Sequence, residues 1–304
     1  METIRAFLES TGIWKFLEGI ETSTFPTWIN EGFHESARAT DGGPLVAGYL
    51  VGISSRWNGG GYLPLNSSGT ALPIDHPRRA LRTIDVPVIE FMTANEVASG
   101  NGPQVPDSDA PAGGHRLYQL GASNHSDSFD AALGGRMART HLVQMRSHGY
   151  PFDEATLTSC ALPTSDVPIA ELSRATMDNL IRWSRTGAAP PRAAPLQLAG
   201  PGVFAHDAQG NPLGGLRIAE FDVPRARYDT AAPADRVGCN VTPGRTAFYR
   251  FDFSADQLDA RYGSRAKYLA AYRARTQELV AQRWLLAADG QRLVAQAGRA
   301  IAAL

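Results

Sequence analysis

Continuous apolar runs alternate along this chain with polar stretches rich in Gly, Ser, Asn and Pro. Four of the runs are short: residues 13–20 (Ile13, Trp14, Phe16, Leu17), 45–53 (Leu-Val-Ala-Gly-Tyr-Leu-Val-Gly-Ile), 86–93 (Val-Pro-Val-Ile-Glu-Phe-Met-Thr) and 115–121 (His-Arg-Leu-Tyr-Gln-Leu-Gly). Unbroken runs bounded by turn residues suit parallel strands buried on both faces. Helical spacing predicts helices over 1–10, stopped by Thr11-Gly12, and over 25–33, with Phe25, Trp28, Ile29 and Phe33 on one side. Pro26 fits the first turn of the second. Further helices are predicted over 128–147 and 168–186, the latter ended by Gly187 and Pro190-Pro191. Residues 190–250 read as mostly irregular, and the chain from about 255 onward as helical.

This pattern predicts an α/β fold: a parallel sheet with a helical C-terminal region. Residues 1–150 would form the core, with the irregular segment and C-terminal helices of 151–304 packed on it. The polar connections at 54–70 and 98–114 are long for a compact domain, and such loops are usually functional or mobile. Trp57 and Tyr62 sit in a Gly-rich loop and are candidates to line an apolar substrate pocket. The alternative is a surface loop with one anchoring ring.

Composition narrows the classes. A hydrophobic fraction of 43% and a charged fraction of 19% over 304 residues describe a folded globular protein. A net charge of -1 argues against a nucleic-acid partner, which wants clustered Lys and Arg. No apolar run reaches the ~18 residues of a membrane span. The start, Met-Glu-Thr-Ile-Arg, lacks the apolar core of a signal peptide, so the cytoplasm is the default location. Cys160 and Cys239 have no histidine at ligand spacing and make a poor metal site. They read either as a disulfide or as two separate thiols. Neither a cofactor nor a metal is expected.

The candidate chemistry begins at residues 19–23, Gly-Ile-Glu-Thr-Ser, directly after the first apolar run. This has the outline of a nucleophile elbow, whose sharp strand-to-helix turn admits only small residues two places either side of the nucleophile. Glu21 stands where a serine is expected. The plainer reading is a strand followed by a helix cap at Thr22 or Ser23. Glu96 follows the third strand, and His125 follows the fourth in the run Asn124-His125-Ser126-Asp127. A histidine in a loop at a strand's carboxyl end is where a general base would stand, and a neighbouring carboxylate could hold its imidazole. Taken singly, a loop histidine and a glutamate after a strand are more often structural or solvated.

The chain resembles the C-terminal two thirds of a bacterial group of alpha/beta-hydrolase-domain proteins. The resemblance is carried by Asn30-Glu31-Gly32-Phe33, Asp85-Val86-Pro87-Val88, Pro106-Asp107-Ser108-Asp109, and the segment at His125. It continues through Leu180-Ile181-Arg182-Trp183, the Gly-Asn-Pro-Leu-Gly-Gly run at 210–215 and the stretch from Leu258 to Tyr268. It implies a partial alpha/beta-hydrolase-like parallel sheet, with an elbow serine, an acid after the penultimate strand and a histidine after the last. By position these fall on Glu21, Glu96 and His125, and Ala94 occupies a neighbouring position where members often carry a carboxylate. Glu21 departs from the pattern; a carboxylate can itself be a nucleophile. Ser23, two residues on, is the other candidate.

In the complete fold several strands precede the elbow, and one of their loops supplies an oxyanion-hole N–H. Only about twenty residues precede it here. The first strand would then be an open sheet edge, of a kind that pairs with something. A second copy, a companion polypeptide or the chain's own C-terminal helices would cover it. Three readings follow: a hydrolase acting on an ester or lactone, or doing acid/base chemistry, on a small apolar molecule; a degenerate fold that binds a ligand or partner; and one subunit of a split hydrolase.

Overall fold

The computed structural model describes residues 16–19, 29, 33–36, 38–52, 80–98, 105–110, 112–124, 163, 165–230 and 248–302. The helices expected at 1–10 and 128–147 and both cysteines lie outside these residues. The four apolar runs become β1 (Phe16–Gly19), β2 (Gly48–Gly52), β3 (Val88–Thr93) and β4 (His115–Leu120). They form one sheet in the order β1-β2-β3-β4, every pair parallel. The register sets Gly19 beside Val51, Val51 beside Glu90 and Thr93 beside Leu120.

Burial on both faces explains the apolar character of β2 and of most of β3. Tyr49, Val51 and Val88 pack with Ile29, Val46, Leu81 and Ile84 on one face. Leu50, Ile89 and Phe91 point the other way, into the larger apolar cluster. The segment between β1 and β2 contributes the short helix α1 (Phe33–Ser36), and β3 runs directly into α2 (Ala94–Ala98). On the second face lies α3 (Ile169–Thr186), the amphipathic helix expected at 168–186. Its buried Leu172, Leu180 and Trp183 follow helical spacing. Gly187, at φ 72°, ends it in the left-handed conformation, and its N–H bonds to the Trp183 carbonyl.

Within the stretch expected to be mostly irregular, the described residues carry short paired strands joined by turns and irregular chain. They are β5 (Ala194–Leu196), β6 (Leu198–Gly200), β7 (Val203–Phe204), β8 (Gly214–Gly215), β9 (Ala226–Asp229) and β10 (Tyr249–Asp252). Three antiparallel pairs result: β5 with β8, β6 with β7, and β9 with β10. Between β8 and β9 lies a one-turn helix, α4 (Ala219–Asp222).

The helical tail is three helices: α5 (Ala255–Tyr262), α6 (Arg265–Ala281) and α7 (Ala287–Ala302). Ser254 and Gln257 cap α5 reciprocally, and left-handed Gly263 separates it from α6. One apolar cluster joins Leu50 and Ile89 of the sheet to Leu180 of α3, Leu279 of α6 and Ile301 of α7. The C-terminal helices therefore share a core with the sheet.

Candidate functional site

In a parallel sheet, ligands bind outside the carboxyl ends of the strands. Here those of β1, β3 and β4 lie on one edge. Of the predicted site residues, Glu96 is described; Glu21, Ser23, Trp57, Tyr62 and His125 lie outside the described residues. Gly19 is the last residue of β1, two before Glu21, and the β4 loop is described up to Asn124, one before His125.

Glu96 is buried in the first turn of α2. Its Oε2 accepts the Thr93 backbone N–H at 3.0 Å, and also the Thr93 hydroxyl. Thr93 stands at the N-cap and Glu96 three residues on, so the carboxylate performs the back-reaching half of a capping box. Part of its role is thus structural, and at 3% exposure it is not the solvated carboxylate of the plainer reading.

The neighbouring loop is tied to the same turn. Ser123 Oγ accepts the Ala94 N–H at 3.0 Å and donates to the Leu120 carbonyl at 2.6 Å. Ala94 and Ser123 are both fully buried, so the carboxyl ends of β3 and β4 are locked together. Asn124 is clamped on both sides of its amide: Nδ2 donates to the Phe248 carbonyl at 3.1 Å, and Oδ1 accepts the Phe248 N–H at 2.7 Å. Ala122, at φ 52°, makes the turn between strand and clamp.

Two buried histidine pairs escaped the sequence reading, and both belong to the opposite, amino edge. His34 of α1 lies 3.0 Å from the Tyr49 hydroxyl through Nδ1 and 2.5 Å from Asp85 through Nε2. Nε2–H donating to Asp85 and Nδ1 accepting from Tyr49 satisfies all three groups. Burial lowers the pKa of the His34 imidazole, against the opposing pull of Asp85. Asp85 is itself held low, first by its bond from Arg38 and then by His34. The chain of hydroxyl, imidazole and carboxylate imitates a triad, but it fastens α1 to the amino edge of the sheet. His115, the first residue of β4, places Nε2 3.0 Å from Glu90 inside the sheet. No spacing rule announces either pair, because their members meet only across neighbouring elements.

The long connection at 98–114 is pinned where it is described. Ser108 and His115 exchange both backbone bonds, Asp107 accepts the Leu117 N–H at 3.1 Å, and Asp109 pairs with Arg116. This too is the amino edge, and over 105–110 the connection is held by these bonds rather than loose. The Gly-Asn-Pro-Leu-Gly-Gly run is likewise structural. Asn211 is fully buried and accepts the Tyr228 N–H at 3.1 Å, and Gly214 and Gly215 sit at φ 75° and 64°.

A further polar group lies between β9, β10 and the helices α4, α6 and α7. Asp166 accepts from Tyr228 at 2.7 Å, Arg225 at 2.7 Å and Arg250 at 2.6 Å. Beside it Glu220 accepts the Tyr272 hydroxyl at 2.6 Å, while its Oε2 and the Tyr268 hydroxyl are buried without partners. Burial raises the Glu220 carboxyl to about 7, against the lowering effect of Tyr272. Among the described residues no group of three or more His, Cys, Asp or Glu could hold a metal ion. No described helix is long and apolar enough to cross a membrane.

Four parallel strands in sequential order, helices packed against them and bonded loops at the carboxyl edge define an α/β protein. Residues 22–295 match the family described as the alpha/beta hydrolase domain, and the chain belongs to that family. The match begins one residue after Glu21 and says nothing of that position. No curated protein and no solved structure matches the chain.

Proposed function

We propose that the protein hydrolyses an ester or lactone of a small apolar molecule. His125 is the general base, Glu96 the carboxylate that orients its imidazole, and Glu21 or Ser23 the group at the attack point. Trp57 and Tyr62 line the apolar pocket. Attack by the Glu21 carboxylate on the ester carbonyl would form a mixed anhydride and break the carbonyl–alkoxide bond, the alcohol leaving with a proton from the His125 imidazolium; a water that gives its proton to the then neutral His125 opens the anhydride. Attack by Ser23 would need His125 to take the hydroxyl proton directly. A carboxylate at the elbow also suits acid/base chemistry other than hydrolysis.

One arrangement carries this reading: the Ser123–Ala94 bond that locks the β3 and β4 ends together, beside Glu96 and two residues before His125. Nitrophenyl ester hydrolysis by the pure chain tests it. His125→Ala should lower kcat roughly 10²–10⁴-fold. A rate unchanged in that variant refutes the assignment. Glu96→Gln separates the two duties of that side chain. Its amide oxygen still accepts the Thr93 N–H, so thermal stability should hold while the rate falls. Glu96→Ala should lose both, with about 1 kcal/mol of stability gone with the cap. Activity that appears only in Glu21→Ser would favour the degenerate reading.

A second reading concerns assembly. β1 ends the strand order, and among the described residues it pairs with β2 alone. Such an edge invites another strand. A second copy or a companion polypeptide, the latter able to bring an oxyanion-hole N–H, would meet that need.

A further inference from the structure

The polar group between β9, β10 and the helices α4, α6 and α7 borders a cavity of about 60 Å³. That is several times the ~10–15 Å³ a single water needs. Tyr268 and Tyr272 line it from α6, four residues apart and so on one face. Leu293 and Ala297 do the same from α7, and the exposed Gln296 marks the mouth. The one-turn helix α4 brings Glu220.

Two oxygens of these lining residues have no partner among the described residues: Glu220 Oε2 and the Tyr268 hydroxyl. Buried polar atoms nearly always have one. Glu220 is held by its other oxygen, which accepts the Tyr272 hydroxyl at 2.6 Å. Tyr268 is 1% exposed, and its ring is wedged between Tyr262 and Tyr272, with centroids 5.2 and 6.0 Å away. Both oxygens are shut off from bulk water, so a guest that meets them has to sit in this cavity.

Charge decides what that guest is. Arg225 also lines the cavity, but its charge is spent. Arg225 and Arg250 each pair with both Asp166 and Asp252, at 2.6–2.9 Å, and the four charges cancel. Glu220 is the acid left over. An anion would face its carboxylate. A metal ion would need several converging oxygen ligands, and the described residues offer no such group. An ammonium finds a carboxylate, a hydroxyl oxygen and two aromatic rings, with Leu293 and Ala297 beside its first carbons.

We propose that this cavity binds a small primary ammonium, with Glu220 as its counter-ion and the Tyr268 hydroxyl as a second acceptor. The site shares no residue with the one at the carboxyl edge and does not rest on the hydrolase reading. Burial lifts the Glu220 carboxyl to about 7, so the bound cation takes the place of a proton. The other groups facing Glu220 are the paired Asp166 and Arg225, together with Tyr228, Tyr268 and Tyr272, whose hydroxyls burial keeps protonated. The residues of α7 that line the cavity carry no charge.

Calorimetric titration of the full chain with ethylammonium chloride tests this. At pH 8 the heat should saturate, and ethanol or sodium chloride at the same concentrations should give no saturable heat. At pH 6 the affinity should be roughly tenfold weaker, because the proton competes for Glu220. Glu220→Gln keeps the shape, removes the charge and should abolish binding. Tyr268→Phe deletes a hydroxyl that bonds nothing else among the described residues, so the melting temperature should hold while binding weakens roughly tenfold. No saturable heat from the parent, an equal response to ethanol, or full affinity in either variant overturns the proposal.

Discussion

Glu220 shows how one side chain can set the response of the whole protein to pH. Its carboxyl oxygens are shut among Tyr268, Tyr272, Asp166 and Arg225, and one of them has no partner. Burial moves the group from an ordinary 4.5 to about 7 in the folded state. Below pH 4.5 the group is protonated folded or unfolded and contributes no pH dependence. Between 4.5 and about 7 the unfolded chain has released the proton while the folded chain keeps it, so stability falls as pH rises. Above about 7 the loss is complete, at roughly 3 kcal/mol. Urea unfolding of Glu220→Gln should be flatter across that window than the parent and more stable than it above neutrality. Equal slopes would show that Glu220 ionises freely. Nothing in the sequence around Ala219-Glu220-Phe221 marks this residue, because its burial comes from Tyr268 and Tyr272 some fifty positions on.

Among the elements, the sheet strands were the legible part. Burial on both faces favours apolar residues, so β2 and β3 stand out as largely apolar runs, and all four observed strands fall inside the predicted ones. α3 was equally plain, with an apolar stripe and a glycine stop. β5 to β8 were not, because a strand of two or three residues has no period to read. Their pairing is fixed by glycines that accept a left-handed backbone. At Gly215, φ is 64°, and a Cβ would stand 2.5 Å from the Gln119 carbonyl oxygen. Gly215→Ala should therefore cost about 2 kcal/mol or more in urea unfolding, from the strained backbone and the crowding together. A loss under about 0.5 kcal/mol would mean that β8 shifts freely away from β4.

At the scale of the whole molecule, the order of the strands was legible and its consequence for the site partly so. Elbow, acid and histidine were placed after strands whose carboxyl ends do share one edge. What could not be read was the support: the Thr93–Glu96 cap, the Ser123 lock and the Asn124 clamp join residues through geometry that linear spacing does not encode. The outer position of β1 bears on assembly. Light scattering coupled to size exclusion should find a homo-oligomer, or a complex with a companion chain, in which the amides of residues 16–19 are protected from exchange. A stable monomer whose β1 amides exchange at once on the open side would refute the covered edge.

The Asn124 clamp also gives the molecule a calendar. Its two bonds reach across 124 positions of chain, to a backbone unit of Phe248 that leaves the ribosome long after the four parallel strands have emerged. During synthesis the sheet can pair early, while the segment next to His125 waits untethered for its anchor. The fastening of that edge is thus postponed until residue 248 has emerged, and a nascent chain halted before it would carry the four strands without their clamp.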